Sequence, residues 1–286
     1  HRDLHLSIRR QRQMCIRDSS ALVDGKTILS GIPDCDDIDA MIECLGTLGV
    51  KIHRTKNELE ISGPIDLSDK TVSINTRMSG ASTRILIGLA ALRKGLTRID
   101  GHESLRKRTN EPLLKTLEQM GCIVKREGVG LPVEISGPVM SPELEIAGNI
   151  SSQYVTALLL ISPFLNQEES VAIKIKGDLV SKPYIDITVN EMRKRGLRVG
   201  WNGSRDLVVE SGTYSDGEYS IEGDATAASY FSALATIHNS SVNFPNLGSN
   251  TVQGDYFFFE VMEQLGAKVE RAEQSTRISG SIQLEG

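Results

Sequence analysis

The chain has 286 residues, 39% hydrophobic and 24% charged, enough length and apolar content for one large domain or two ordinary ones with a core of their own. Its 32 Lys and Arg against 37 Asp and Glu leave a net charge of −5, and no stretch of the body gathers basic residues into a stripe. That excludes nucleic acid as the expected partner and requires any anionic ligand to be gripped by local donors.

No apolar run reaches bilayer-spanning length and no secretory leader is recognisable. Cys15, Cys35, Cys44 and Cys122 form no CxxC pair and have no His at ligand spacing, so a reduced, cytoplasmic protein without a metal is expected.

In chain order, residues 1–18 (HRDLHLSIRRQRQMCIRD) are dense in Arg and hold neither helical nor strand periodicity. They are expected to form a non-native or disordered arm. Ile38, Met41, Ile42, Leu45 and Leu48 then recur at helical spacing, with Asp36 or Asp37 placed to cap the helix and Gly49 to close it. Val50 and Ile52, then Leu59 and Ile61, alternate as two paired strands would.

Met78-Ser79-Gly80-Ala81-Ser82-Thr83-Arg84 leads into an apolar helix, RILIGLAAL, from Arg84 to Leu92. Gly80 lets a ligand approach the backbone, and Arg84 adds positive charge near the helix start. The loop Ser104-Leu105-Arg106-Lys107-Arg108 offers guanidinium groups that either pair with a carboxylate or phosphate through two parallel hydrogen bonds or are simply solvated.

Asn149-Ile150-Ser151-Ser152-Gln153 precedes a second apolar helix, YVTALLLI, from Tyr154 to Ile161. Two hydroxyls at a helix N-terminus read first as caps and, second to that, as part of an anion site built on the unpaired N–H groups. GDLVSKPYIDIT, Gly177 to Thr188, predicts another helix start, with Ser181 at the cap and Pro183 in the first turn. Asp224, in Glu222-Gly223-Asp224-Ala225-Thr226, suits the cap of a third apolar helix, AASYFSALATI, from Ala227 to Ile237, and Asn250-Thr251-Val252-Gln253-Gly254-Asp255 follows.

These segments belong to an internal repeat. LGTLGVKI with LEISG, LEQMGCIV with VEISG, MRKRGLRV with LVVESG, and MEQLGAKV with TRISG recur about every 70 residues, and Gly49, Gly121, Gly196 and Gly266 hold one equivalent place. Each unit reads as helix, strand, helix and two strands, with a preceding strand supplied at the unit boundary. The three apolar helices are hydrophobic nearly all round and are expected in the middle of their units, surrounded by the other elements.

The repeat and its motifs resemble the enolpyruvyl transferase family, and within it the branch of the shikimate pathway. The resemblance runs from about Ser20 to Gly286. It implies an α/β fold of βαβαββ units with helices inside and sheets outside, an inside-out α/β barrel of which about four of six units are present. It also implies transfer of an enolpyruvyl group from phosphoenolpyruvate to the 5-hydroxyl of shikimate 3-phosphate, with no cofactor, as a monomer.

By that resemblance Ser151, Ser152, Gln153, Ser181 and Tyr184 bind shikimate 3-phosphate, and Gly80, Arg84, Arg108 and Gln153 bind phosphoenolpyruvate. Residues 19–222 make a shikimate-binding lobe of three units and 223–286 part of a second lobe, with Asp224 at the hinge. Met78 and Ala81 stand where the family has Asn and Thr, and Thr109 where it has Pro. The family's Lys-bearing segment would fall near Arg10, in surroundings that do not match, and its catalytic Asp beyond Gly286, so the chain alone is expected to be inactive. The alternatives are the UDP-N-acetylglucosamine branch of the same family and a non-catalytic binding module.

Overall fold

The computed structural model describes residues 18–139, 143–149, 151–165, 170–179 and 182–280. The Arg-rich arm with Arg10, and Ser181, lie outside the described residues. Within them the repeated letters become repeated elements. The first unit contains β1 (Lys26–Ser30), α1 (Asp36–Thr47), β2 (Lys51–Arg54) and β3 (Glu58–Ser62). The second runs β4 (Val72–Asn75), α2 (Gly80–Ala91), β5 (Thr97–Asp100), a short α3 (Glu103–Arg106), α4 (Glu111–Gln119), β6 (Ile123–Arg126) and β7 (Val133–Ser136). The third runs β8 (Glu143–Ala147), α5 (Ser152–Ile161), β9 (Val171–Lys176), α6 (Lys182–Lys194), β10 (Val199–Asn202) and β11 (Asp206–Val209). The fourth has β12 (Gly217–Ser220), α7 (Ala225–Ile237), β13 (Ser241–Phe244), α8 (Phe258–Gln264), β14 (Lys268–Arg271) and β15 (Thr276–Ser279).

The second and third sheets share one order, β4-β5-β7-β6 and β8-β9-β11-β10, each opening with a parallel pair and continuing antiparallel. The first sheet is β12-β1-β3-β2, so β12, the strand just ahead of α7, takes the place that β4 and β8 hold in theirs. The fourth keeps three strands, β13-β15-β14. The four sheets are separate, and among the described residues no ring of strands closes.

Register follows the period-2 pattern: Ile52 lies opposite Ile61, and Val124 opposite Ile135. Gly49, Gly121, Gly196 and Gly266 all adopt positive φ, between +85° and +97°, and close their helices as expected. The residue after each Gly donates back to the carbonyl five positions earlier, as in Val50 to Leu45 and Cys122 to Leu117. One expectation is corrected at the start of α1. Its cap residue is Cys35, and Asp36 and Asp37 lie inside the first turn, where they face the positive end of the helix dipole rather than cap it.

The recurring glycine of the ISG phrase has a packing reason. A Cβ on Gly63 would lie 2.7 Å from the carbonyl of Val23, on Gly137 2.0 Å from that of Ala91, and on Gly280 2.7 Å from that of Ala235. Gly137 and Gly280 therefore dock on the C-terminal turns of α2 and α7, and Gly63 docks on the carbonyls of residues 20–23. Asp18–Ser20 just ahead are buried and are followed by Ala21, whose carbonyl accepts from Ile65 as that of Ala91 accepts from Val139. Gly212 departs from the pattern and faces the Leu197 side chain instead.

The described residues up to Tyr219 form one compact unit, and those from Ser220 onward form another. In the first, α2 and α5 each bury nine residues, and Gly88 brings the two together: a Cβ there would lie 3.0 Å from the Ala157 carbonyl. In the second, Ala225, Ala228, Leu247, Phe259, Met262 and Ile278 make the core. Here α7 departs from the expectation of an enclosed helix. Tyr230, Phe231, Leu234 and Ile237 are 53–65% exposed, because among its described residues this unit has no second inner helix to cover them.

Candidate functional site

The inner helices α2 and α5 begin where β4 and β8 end, and α6 begins beyond the end of β9, so each starts after a strand of a parallel pair. A helix start of this kind presents N–H groups and a partial positive charge to the same side of the layer. Ser79 caps α2, accepting from the Ser82 N–H at 3.3 Å, and Ser151 caps α5, accepting from the Gln153 N–H at 3.3 Å.

Between the two caps the predicted residues converge. Arg84, one turn into α2, donates to the side-chain oxygen of Gln153 in the first turn of α5 and to the Gly80 carbonyl at 3.3 Å. The point where a Cβ of Gly80 would stand lies 3.4 Å from Arg84 Nη1 and 3.5 Å from Arg108 Nη1. Gly80, Arg84, Arg108 and Gln153 thus share one place, with two guanidinium groups facing the same glycine. A Cβ at position 80 would stand in ordinary van der Waals contact with both.

Arg106 stands apart. It donates to both oxygens of Asp100, at 3.2 and 2.8 Å, and that hydrogen bond holds its guanidinium pKa above the ordinary value. Of the two arginines that the loop offered, Arg106 is committed to the Asp100 carboxylate at the end of β5, and Arg108 is the one that reaches Gly80.

The α5 and α6 segments are also brought together. Thr156 and Thr188 share a buried hydrogen bond at 3.1 Å between the two helices. Ser152 lies one turn before Thr156 and Tyr184 one turn before Thr188, whose hydroxyl donates to the Tyr184 carbonyl at 3.4 Å. Facing positions one helical turn above a contact are neighbours, so both residues sit at the N-terminal mouth of the same helix pair. Ser152 is buried and Tyr184 half-buried.

Asp224 lies in the smaller unit. Its carboxylate caps α7, accepting from the N–H groups of Thr226 at 2.9 Å and Ala227 at 3.2 Å. Gln253 braces the same turn: its side-chain oxygen accepts from Ala225 at 3.0 Å and its amide donates to the Gly223 carbonyl at 2.8 Å. The EGDAT and NTVQGD segments therefore clasp each other.

Two contacts escaped the sequence reading. The hydroxyl of Tyr154 donates to the Thr109 carbonyl at 2.7 Å, and the Arg84 guanidinium lies over the Tyr154 ring at 5.5 Å. A tyrosine in an otherwise aliphatic helix was the available signal, since its buried hydroxyl must find a partner. The second is Arg77, at φ +48°, which bonds Asp36 and Glu43. No helix of the described residues is long and apolar enough to cross a membrane.

A family model described as EPSP synthase (3-phosphoshikimate 1-carboxyvinyltransferase) matches residues 19–286. A protein named 3-phosphoshikimate 1-carboxyvinyltransferase from Yersinia ruckeri is 37% identical over 256 residues, covering 87% of this chain and 59% of the relative. One of the same name from Shewanella pealeana is 35% identical over 263 residues, covering 88% and 61%. The chain thus spans about three fifths of the length of the curated relatives it matches. Among solved structures, EPSP synthase from Acinetobacter baumannii superposes with a TM-score of 0.78 over 96% of this chain and 63% of that one, at 22% identity, so the two share the fold. With a match that begins inside the first buried turn and runs through all four repeats, the chain belongs to the EPSP synthase (3-phosphoshikimate 1-carboxyvinyltransferase) family.

Proposed function

We propose that this chain carries binding groups for shikimate 3-phosphate and phosphoenolpyruvate, in a protein that moves the enolpyruvyl group to the 5-hydroxyl of the former and releases phosphate. The observation that carries the proposal is the meeting of Arg84, Arg108 and Gln153 around Gly80, beside the shared mouth of α5 and α6. Two guanidinium groups suit a ligand with both a carboxylate and a phosphate. Hydroxyls and first-turn N–H groups of α5 suit a second phosphate, with Ser151, Ser152, Gln153, Ser181 and Tyr184 on the shikimate side. Gln153, bonded to Arg84, would touch both ligands.

The chemistry adds a hydroxyl to the central carbon of phosphoenolpyruvate and protonates its methylene carbon, then expels phosphate from the tetrahedral adduct. That requires a base, an acid and fixed positive charge. Arg84 and Arg108 would supply the charge; the acid and the base are not assigned to residues of this chain. Because the chain covers about three fifths of its relatives, binding and turnover are separate proposals for it. In this reading residues 19–222 are the shikimate-binding lobe and 223–286 belong to a second lobe, with Asp224 where the chain crosses between them. The protein is a cytoplasmic monomer that acts on small molecules.

Calorimetric titration tests the reading. Saturable binding of shikimate 3-phosphate, with no heat from UDP-N-acetylglucosamine, is the expected result. Binding of the nucleotide sugar alone would move the chain to the other branch of the enolpyruvyl transferases, and binding of neither would leave a scaffold module.

A further inference from the structure

We propose that Tyr154 is a positioning residue which sets the spacing of the two positive charges at Gly80, holding Arg84 with the face of its ring and Arg108 through its hydroxyl. The inference rests on the reading that these arginines bind phosphoenolpyruvate. Tyr154 is only 1% exposed and sits directly after Gln153, itself the acceptor of the Arg84 side chain. Its hydroxyl reaches 45 residues back along the chain to the carbonyl of Thr109, the residue that follows Arg108. Its ring lies under the Arg84 guanidinium at 5.5 Å.

The need for such a residue is electrostatic. Two guanidinium groups near one glycine repel each other, so their spacing has to be set by the fold around them. Arg84 has the Gln153 oxygen and the Tyr154 ring, whose quadrupole attracts a cation on its face. The loop that carries Arg108 is exposed at residues 106–108 and is held at its edges by Arg108 N–H to Leu105 O at 3.1 Å and Asn110 N–H to Val129 O at 2.8 Å. The Tyr154 hydroxyl adds a bond from the inner helix to the middle of that loop. One buried side chain therefore ties to α5 both the Arg84 guanidinium and the backbone next to Arg108.

The test uses Tyr154→Phe, which keeps the ring and loses only the hydroxyl, and Tyr154→Leu, which loses both. Binding of phosphoenolpyruvate and of shikimate 3-phosphate is measured by calorimetry, backbone hydrogen exchange is followed at residues 107–110, and urea melts report stability. Tyr154→Phe is expected to speed exchange in that loop and to weaken phosphoenolpyruvate by about five- to tenfold, the loss of roughly one hydrogen bond's worth of order. Shikimate 3-phosphate should bind it unchanged, and Tyr154→Leu should weaken phosphoenolpyruvate further. Unchanged exchange and affinity in Tyr154→Phe would overturn the proposal. Equal weakening of both ligands, in step with a lowered melt, would also overturn it, as a general packing role. If the parent chain binds no phosphoenolpyruvate while the variant's loop exchanges faster, the tether stands and the functional reading is what fails.

Discussion

Asp100, at the end of β5, accepts two hydrogen bonds from Arg106 and one from the Gly101 N–H. Its partial burial pushes the carboxyl pKa up, but the Arg106 and Gly101 hydrogen bonds, with the charges of Arg106 and Arg98, outweigh that and leave it below the ordinary 3.8. A carboxyl lowered in the fold contributes stability above its unfolded pKa and loses it as pH falls through the folded value. Arg106→Ala should therefore cost at most about 1 kcal/mol near neutrality, as exposed ion pairs do, and the difference from the parent should shrink below pH 3.8. It should leave phosphoenolpyruvate affinity unchanged. Arg108→Ala should do the reverse, weakening phosphoenolpyruvate by about tenfold or more with little change in the urea midpoint, because a charge-assisted bond contributes roughly 1.5–3 kcal/mol. Titrations at pH 7 and melts at pH 7 and 3 separate the two arginines.

At the scale of the elements, two recurring glycines do different jobs and should fail differently. Gly121 closes α4 at φ +97° with open space where a Cβ would go, so Gly121→Ala should cost about 1–2 kcal/mol, the strain of a left-handed residue. Gly137 has the Ala91 carbonyl 2.0 Å from that point, and backbone cannot step aside. Gly137→Ala should cost more than about 3 kcal/mol by overpacking β7 against the end of α2. Denaturant midpoints of the two variants measure the contrast.

The sequence revealed such elements because their causes are local. Helical spacing through Ile38 to Leu48, a glycine at each helix end and alternation at Leu59 and Ile61 all act within a few residues. The Gly80, Arg84, Arg108 and Gln153 cluster was legible only through family resemblance, since nothing local brings α2 next to α5. Tyr154 announced only that a buried hydroxyl needs a partner, not that the partner is the Thr109 carbonyl, and the fate of α7 was not legible at all. A helix apolar on every side reads as enclosed, but enclosure depends on neighbours that its own letters do not specify.

Across the larger unit, the longest-range polar contact among the described residues is made by a buried cation. Arg195, at the end of α6, is fully buried and donates to Ser19 Oγ at 2.7 Å, Ser20 Oγ at 2.8 Å, Thr27 Oγ1 at 3.2 Å and the Ser215 carbonyl at 2.8 Å, under the ring of Tyr219 at 4.8 Å. Burial lowers its pKa, yet a guanidinium stays charged at any ordinary pH. Arg195→Met removes the donor that four oxygens share and should cost about 3 kcal/mol or more, read as a fall in the urea midpoint. Arg195→Lys should recover part of it, since an ammonium has three donors but not the planar fork. A basic run such as Arg193-Lys194-Arg195 reads in sequence as a solvated helix end, and only the repeat's return onto its own beginning hides the third of the three.

That return sets a timetable for the nascent chain. Ser19 and Arg195 are 176 residues apart, so at ribosomal speeds of about 5–20 residues per second the first turn waits roughly 10–35 s for its clasp to be made. During that interval β1 also lacks β12, its neighbour at the sheet edge, and offers an open strand to any passing polypeptide. The segment from Asp18 to β3 thus stands to gain from a chaperone's cover during translation.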